Sequence, residues 1–256
     1  MANRVSQGPK RALVTGAGAR LGKAMAQALG EDGWAVAVHY RGSKAGADET
    51  ATHIRAAGGT AELVQADLSN EEQTATLVRA AQEALGGPLT LLLNSASTFE
   101  DDTALEHTRN NWDFHMGPNF RSPVLLAQHF ARALPDDEAG LIVNMIDMRV
   151  LKLNPLFFTY TLSKSALWTA TRTLAQSLAP NIRVNGIGPG PTLENVHQKP
   201  GEFDAEARAT LTQQGSNPGE IVKTLRYLIE ADSITGQLIA SDGGQHLMWQ
   251  TPDVML

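Results

Sequence analysis

Tyr160 and Lys164 lie four residues apart, at the start of a run with the periodicity of a long helix. Residues at i and i+4 share one helix face, so both side chains can point into the same cleft. A nearby ammonium favours the phenolate and lowers the pKa of a tyrosine, which would make the pair a general acid. Asp147 precedes Tyr160 by thirteen residues and brings a carboxyl group to the same stretch.

The Tyr-x-x-x-Lys spacing is a weak signal when it stands alone. Tyr40 and Lys44 repeat it, but they flank a turn with Gly42 and Ser43, where the helical argument fails. The plain alternative for such a pair is a tyrosine and a lysine on a helix surface. The rest of the chain has to decide between the two interpretations.

A glycine-rich turn near the N-terminus supplies the first part of that context. Residues 11–15 are an apolar strand, Gly16 and Gly18 follow, residues 20–29 have helical spacing, and residues 34–39 read as a second buried strand. Such a turn lets backbone N–H groups approach a pyrophosphate, and the helix N-terminus favours its negative charge. The arrangement predicts a dinucleotide site.

The end of the second strand favours one nicotinamide cofactor. An acidic residue there would accept from a ribose 2′-hydroxyl, but none occurs from Gly33 to Ala47. Cationic and hydroxyl donors stand there instead, which suits the 2′-phosphate of NADPH. These donors are His39, Tyr40, Arg41, Ser43 and Lys44. The alternative is a solvated basic turn.

Strands and helices alternate along the remaining chain, which predicts an α/β fold. Further strands are expected at residues 61–65, 89–93, 141–146, 182–187 and 236–241. Helices are expected at 45–57, 70–85, 105–116, 119–134 and 217–230, with a break at Gly117 and Pro118. Residues 193–216 have poor periodicity and predict a mobile lid. No linker divides the chain, so one domain over residues 1–256 is expected.

Composition narrows the function classes. The chain has 256 residues, no cysteine and a net charge of −6, which gives no electrostatic reason to expect nucleic acid or an anionic membrane as a partner. The seven histidines have no metal-like spacing, so no protein-bound metal is expected. Residues 1–10 lack the apolar region of a signal peptide, and a cytoplasmic location is expected.

Taken together, the motifs resemble the short-chain dehydrogenase/reductase family from about Lys10 to His246. The resemblance implies a doubly wound, parallel, seven-stranded sheet, hydride transfer with a nicotinamide cofactor, and a homotetramer. The motifs that carry it, in family order, are Thr15-Gly16 with Gly22, Asp67-Leu68, Asn94-x-Ala96, Asn119, Tyr160-x-x-x-Lys164, Pro189-Gly190 and Asp242-Gly243-Gly244.

The resemblance also implies site residues. The tyrosine is the family's proton donor, the lysine also holds the nicotinamide ribose, and the helix asparagine positions a water for proton relay. The catalytic residues implied here are Asp147, Tyr160, Lys164 and Asn119. The cofactor contacts implied are Gly16, Arg20, Leu21, Gly22, His39, Tyr40, Arg41, Ser43, Asp67, Leu68, Asn94, Ala96, Tyr160, Lys164, Pro189 and Gly190.

Three positions depart from the family pattern. Arg20 replaces a glycine of the turn, Ser95 replaces an asparagine, and Asp147 stands where the catalytic serine is expected. In a ketone reductase that serine donates to an oxygen that gains negative charge, which a carboxylate would repel. An aspartate suits a substrate that presents N–H groups or takes a proton on nitrogen, as a pterin does.

The pteridine reductase branch of the family, with dihydromonapterin and bacterial dihydropteridine reductases nearby, is similar in a set of residues spread along the chain. These are Arg20 in the turn, His39, Tyr40 and a downstream serine after the second strand, Ser97 and Phe99 after the fourth, and Asp147, Tyr160 and Lys164. This similarity implies a pterin between the Phe99 ring and the nicotinamide. The substrate contacts implied are Arg20, Ser97, Phe99, Asp147 and Tyr160. Two other functions stay open: a carbonyl or 3-oxoacyl-carrier-protein reductase, and an NADP(H)-binding sensor without turnover. For Asp147 itself, the alternative is a turn residue in an inactive protein.

Overall fold

Seven parallel strands form a sheet in the computed structural model, which describes residues 5–194, 198–251 and 254. The strand order is β3-β2-β1-β4-β5-β6-β7, the doubly wound arrangement that the sequence predicted. The strands are β1 Arg11–Val14, β2 Ala35–Tyr40, β3 Ala61–Gln65, β4 Leu91–Asn94, β5 Gly140–Met145, β6 Ile182–Pro189 and β7 Leu238–Ser241.

Eight α-helices cover the sheet within the described ranges. They are α1 Arg20–Glu31, α2 Lys44–Ala56, α3 Glu71–Leu85, α4 Arg109–Met116, α5 Ser122–Ala133, α6 Phe158–Leu178, α7 Glu202–Arg208 and α8 Pro218–Glu230. Helices α1, α2 and α8 bury one apolar face of the sheet, whereas α3, α5 and α6 bury the other. All six residues of β5 are buried because it is covered on both faces. None of these helices is long and apolar enough to cross a bilayer.

Local sequence explains several helix ends. The Asn70 side chain accepts from the backbone N–H of Gln73 and caps α3, and Gly86 ends that helix in the left-handed conformation. Asn217 caps α8 in the same way, with Pro218 at the first helical position. Both helices therefore begin at the residues that the sequence predicted.

The predicted helix at 105–116 is wrong at its start, and the predicted break at Gly117 and Pro118 is absent. Thr108 and Asn111 form a capping box that starts α4 at Arg109, while Leu105 is 97% exposed. A π-helical turn, Gly117–Arg121, then joins α4 to α5. Its wider hydrogen-bond spacing accommodates the proline, which has no N–H to donate.

Helix α7 lies inside the predicted lid at residues 193–216, where no helix was expected. None of its seven residues is fully buried, so it has no apolar stripe that periodicity could detect. The predicted lid also includes Asn195, Val196 and His197, which lie outside the described residues.

Candidate active site

The carboxyl ends of β1 and β4 meet where the strand order reverses, the usual ligand crevice of such sheets. The Thr15 hydroxyl accepts from the backbone N–H groups of Ser95 and Ala96 at 2.9 and 3.0 Å, and so ties the two strand ends together. A Cβ on Gly16 would lie 2.9 Å from the Ala96 Cα, and one on Gly22 would lie 2.3 Å from the Gly16 carbonyl oxygen. Only glycine fits at either position.

A cavity of about 680 Å³ opens at this edge of the sheet. Every predicted site residue except Asn94 and Asn119 contributes to its lining. The sequence did not single out Arg149, Phe203 or Glu206, which line it too. The last two lie on α7, so this short helix forms part of one wall.

The three predicted proton-transfer groups converge in the cavity wall. The Tyr160 hydroxyl donates to Oδ2 of Asp147 at 2.9 Å. The Lys164 ammonium donates to the Met145 carbonyl oxygen at 2.9 Å and lies 5.7 Å from the centre of the Tyr160 ring. Asp147 reaches this position because it follows β5 directly, and its Oδ1 caps the 3₁₀ turn Met148–Val150 by accepting from the Arg149 N–H.

The electrostatics of this group differ from the expected tyrosine–lysine pair. Burial raises the pKa of Tyr160 well above its ordinary value of 10, and the neighbouring Asp147 carboxylate raises it further. The predicted lowering by Lys164 is therefore wrong, because burial of the phenol and the adjacent carboxylate both act in the opposite direction. Loss of hydration also raises the pKa of Asp147 and lowers that of Lys164 to about 8. Of the three groups, Asp147 is therefore the acid whose pKa rises towards neutral pH.

His39 has a different environment from the cation that the sequence predicted. The side chain is 1% exposed, and desolvation lowers its pKa to about 4. Its Nδ1 accepts from the Gly16 N–H at 3.1 Å, which leaves Nε2–H to donate to the Ala66 carbonyl oxygen at 3.1 Å. A neutral imidazole with both nitrogens engaged holds the glycine turn and offers no positive charge to a phosphate.

Asn119 and Asn94 lie behind the cavity wall. Asn119 is fully buried; its Oδ1 accepts from the Thr98 N–H at 2.8 Å, and its Nδ2 donates to the Thr98 carbonyl oxygen at 2.9 Å. The same Nδ2 donates to the Ser163 hydroxyl, which donates to the Tyr160 carbonyl oxygen. Asn94 donates to Asn144 and crosslinks β4 to β5. In this structure both asparagines hold backbone segments that form the cleft.

Phe99 belongs to an aromatic wall beside the proton-transfer groups. Its ring stacks on Phe157 with centroids 4.3 Å apart and an interplanar angle of 14°. The same ring meets Tyr160 edge-on at 4.8 Å. Phe157 is held in the left-handed backbone region, with φ of 55°, at the residue before α6. Such a conformation is uncommon for an aromatic residue and is often found at functional sites.

Arg20 spans the opening of the cleft. Its guanidinium donates to the carbonyl oxygens of Glu194 and Leu193 at 2.7 and 3.2 Å. Its backbone has a φ of 50°, the left-handed region that a glycine would occupy without strain. Ser97, the other predicted pterin contact besides Phe99, is exposed at the same rim and donates to Asn119 Oδ1 at 3.2 Å.

A buried polar chain behind Tyr160 was missed by sequence reasoning. The Glu100 N–H donates to Nε2 of His115, so Nδ1–H of that ring donates to the Thr159 hydroxyl at 2.7 Å. The hydroxyl donates to the Asp102 carboxylate, which also accepts from the Thr159 N–H at the start of α6. The helix N-terminus stabilises this negative charge. Because 57 residues separate Asp102 from Thr159, no local pattern could have indicated the contact.

Comparisons with known proteins agree with this architecture. The chain matches the family profile described as short chain dehydrogenase over residues 10–204. An uncharacterized oxidoreductase of Methylorubrum extorquens is 35% identical over 247 residues, which cover 92% of this chain and 97% of the relative.

Two similar solved structures are described as FolM alternative dihydrofolate reductase 1. The protein from Brucella canis, complexed with NADP, is 47% identical, covers 96% of this chain and 97% of its own, and superposes with a TM-score of 0.92. The protein from Brucella suis, in complex with NADP, is also 47% identical. Its match covers 98% of this chain and 100% of its own, with a TM-score of 0.93. With its strand order, its glycine turn and these matches, the chain belongs to the short chain dehydrogenase family.

Proposed function

We propose that this protein is an NADPH-dependent reductase that transfers hydride to a ring C=N bond of a pteridine, either a dihydropterin or a dihydrofolate-like substrate. The single observation that carries the proposal is the Asp147 carboxylate, which accepts a hydrogen bond from Tyr160 in the cleft wall. Similarity to proteins described as alternative dihydrofolate reductases supports the same substrate class.

The residues present fit NADPH. Gly16 and Gly22 approach each other so closely that neither position can hold a side chain. The backbone of this turn is therefore accessible to a pyrophosphate at the N-terminus of α1. Tyr40, Arg41 and Ser43 line the cavity at the end of β2 and would hold the 2′-phosphate without His39. The other proposed contacts are Leu21, Asp67, Leu68, Ala96, Lys164, Pro189 and Gly190, which line the same cavity. When bound there, NADPH supplies the hydride.

The proton is the contribution of the protein. The raised pKa of Asp147 lets its carboxyl group bind a proton more readily than an ordinary aspartate, and Tyr160 keeps its own proton over the neutral range. The pair can therefore pass a proton to a ring nitrogen through the 2.9 Å hydrogen bond. Lys164 fixes the geometry through the Met145 carbonyl and keeps a positive charge near the pair below a pH of about 8.

Ketone reduction fits this site less well. An ionised Asp147 would repel an alkoxide that forms beside it. A pterin instead has N–H groups that can donate hydrogen bonds to a carboxylate. The 3-oxoacyl reductase hypothesis thus lacks a hydroxyl donor at this position. The sensor hypothesis leaves the convergence of Asp147, Tyr160 and Lys164 without a use.

We also propose that residues 193–216 close over the substrate as a lid of a single reductase domain. Phe203 and Glu206 of α7 line the cavity, and Arg20 holds Leu193 and Glu194 across its opening. A folate-like small molecule is the proposed partner. The homotetramer and the cytoplasmic location stay predictions from the sequence.

An NADPH-oxidation screen tests the proposed function. Purified protein is assayed with dihydrobiopterin, dihydromonapterin, dihydrofolate and an acetoacetyl thioester. We expect turnover of pterins above that of the thioester, and a loss of about 100-fold or more in Tyr160→Phe, the usual contribution of a general acid. Tyr227→Phe is the matched control, because Tyr227 is 52% exposed on α8 and outside the cavity lining. Absence of turnover with every pterin would reject the proposal.

A further inference from the structure

Three buried polar side chains meet behind Tyr160, and the proposed proton chemistry does not use them. His115 and Thr159 are fully buried, and Asp102 is buried beside them. They come from the loop after β4, from α4 and from the first turn of α6. A buried hydrogen-bonded network gives little net stability over apolar side chains that fill the same space. The three residues therefore need an explanation other than packing.

The network caps the helix that carries Tyr160. Phe157 stands at the cap position of α6, and its side chain has no oxygen that could accept from the first backbone N–H groups. The Thr159 N–H instead donates to Asp102 Oδ1 at 3.0 Å, and the Phe158 N–H donates to the Asp102 carbonyl oxygen at 3.2 Å. The position of this first turn, and so of Tyr160, is therefore fixed by a residue of the loop after β4.

The same network places the two rings that face Tyr160. The Tyr160 ring meets the His115 ring edge-on, with centroids 5.9 Å apart, and the Phe99 ring edge-on at 4.8 Å. His115 Nδ1–H donates to the Thr159 hydroxyl at 2.7 Å. The Glu100 N–H, one residue after Phe99, donates to His115 Nε2 at 3.1 Å. Burial lowers the pKa of His115, so the ring is neutral at pH 7 and keeps this arrangement of donor and acceptor.

Proton donation depends on the position of the phenol. The Tyr160 hydroxyl donates to Asp147 Oδ2 at 2.9 Å, and such a bond weakens steeply when its distance or angle leaves a narrow range. A displacement of about 1 Å can lower an enzymatic rate by about 100-fold. Asp102, His115 and Thr159 lie outside the cavity lining. They can therefore act on the rate through Tyr160 without contacting the substrate.

We infer that Asp102, His115 and Thr159 are positioning residues for the proton donor, which hold the Tyr160 hydroxyl within hydrogen-bond distance of Asp147 and thereby set the rate of proton transfer. The inference rests on the proposed function, in which that pair delivers the proton. It gives the buried network a kinetic role in addition to its contribution to the fold.

Two substitutions at Thr159 test the network with little change in size. Thr159→Val removes the hydroxyl that joins His115 to Asp102, whereas Thr159→Ser keeps the hydroxyl and removes only a methyl group. We expect kcat for dihydrobiopterin to fall by about 10- to 100-fold in Thr159→Val, the effect of a displacement on the order of 1 Å. Thr159→Ser should retain kcat to within about threefold, because its hydroxyl can make the same hydrogen bonds.

Two further readouts separate positioning from loss of folded protein. Rates are divided by the concentration of NADPH-binding sites, so unfolded protein does not lower the measured kcat. The Kd for NADPH should stay close to that of wild type in Thr159→Val, because the network lies outside the cavity lining. The solvent deuterium isotope effect on kcat should be larger in Thr159→Val than in wild type, because proton transfer becomes the slower step.

Thr74→Val is the matched control for the loss of a buried hydroxyl. Thr74 is fully buried on α3, its hydroxyl donates to the Asn70 carbonyl oxygen at 2.9 Å, and it lies outside the cavity lining. This variant should keep the kcat and the isotope effect of wild type. His115→Phe is a second test of the network, because it keeps a ring beside Tyr160 but makes neither hydrogen bond. It should lower kcat as Thr159→Val does.

The outcomes separate the two proposals. Wild-type kcat and isotope effect in Thr159→Val and His115→Phe would overturn the positioning role and leave pterin reduction standing. A loss of kcat in Thr74→Val or Thr159→Ser as large as that in Thr159→Val would do the same. Failure of the wild type to reduce any pterin would overturn the proposed function, and the positioning role would fall with it.

Discussion

At the scale of single residues, the site depends on which group neighbours the phenol of Tyr160. The Asp147 carboxylate accepts its hydrogen bond, while the Lys164 ammonium is turned to the Met145 carbonyl. Desolvation and that carboxylate raise the pKa of Tyr160, so the phenol keeps its proton. Desolvation also raises the pKa of Asp147. The presence of the three groups could be predicted from their spacing. Their mutual pKa shifts could not, because those depend on burial and on which pair is closest.

His39 gives a pH-dependent contribution to stability. Its pKa is about 4 in the folded protein and 6.5 when unfolded, so between these values the unfolded chain binds more protons. The free energy of unfolding therefore falls as the pH drops from 6.5 towards 4. The contribution of this residue to that fall is about 3 kcal/mol. We expect this slope in the free energy of unfolding, measured by urea titration at several pH values.

The control for that slope is His39→Asn, which keeps a side-chain acceptor near the Gly16 N–H but does not titrate. Its free energy of unfolding should fall less steeply between pH 6.5 and 4 than that of wild type. Identical slopes in the two proteins would show that His39 is not held neutral by burial.

At the scale of elements, the N-terminus of α1 and the segment after β6 are joined by one side chain. Arg20 holds a left-handed backbone conformation and donates to Leu193 and Glu194. Arg20→Gly removes the two guanidinium hydrogen bonds and also relieves the backbone strain, because glycine adopts this φ without a steric penalty. Arg20→Ala removes the same hydrogen bonds but keeps the strained backbone conformation. We expect the glycine variant to be more stable than the alanine variant by about 1 kcal/mol, measured by chemical denaturation.

Both Arg20 variants should also show a raised KM for the pterin substrate, because both lose the guanidinium at the cleft opening. An alanine variant as stable as the glycine variant would contradict the strained conformation at this position. Unchanged KM in both would contradict a role for the arginine in holding the lid.

The elements themselves were largely predictable, and the exceptions have physical reasons. Caps such as Asn70 and Asn217 act within four residues, so sequence reveals them. The π-helical turn at Gly117–Arg121 depends on how α4 and α5 pack against α6, which the sequence does not display. Helix α7 has no buried residue and so lacks the pattern by which helices are recognised.

At the scale of the whole molecule, the sheet explains why so much of the site could be placed in advance. Parallel strands bring their carboxyl ends to one edge, so the residues after β1, β4, β5 and β6 had to meet. Contacts from other parts of the fold were not accessible in this way. The chain from Glu100 through His115 and Thr159 to Asp102 links segments 15 to 57 residues apart, and only the folded structure shows it.

The residues of the cleft fall into two groups, those that belong to the shared fold and those that set its chemistry. The strand order and the glycine turn fit the short chain dehydrogenase family as a whole, whereas Asp147 places a carboxylate against the Tyr160 hydroxyl. Because the fold alone does not decide the substrate, we propose that this side chain at the end of β5 selects it.

The proposed role of Asp147 in selecting pterins over ketones predicts a change in one ratio, that of kcat/KM for dihydrofolate to kcat/KM for an acetoacetyl thioester, between wild type and Asp147→Ser. We predict a ratio well above one in wild type. In the variant, pterin reduction should fall by about 100-fold or more, while thioester reduction rises, because a serine hydroxyl can donate to an alkoxide. An unchanged ratio in Asp147→Ser would show that Asp147 does not select pterins over ketones.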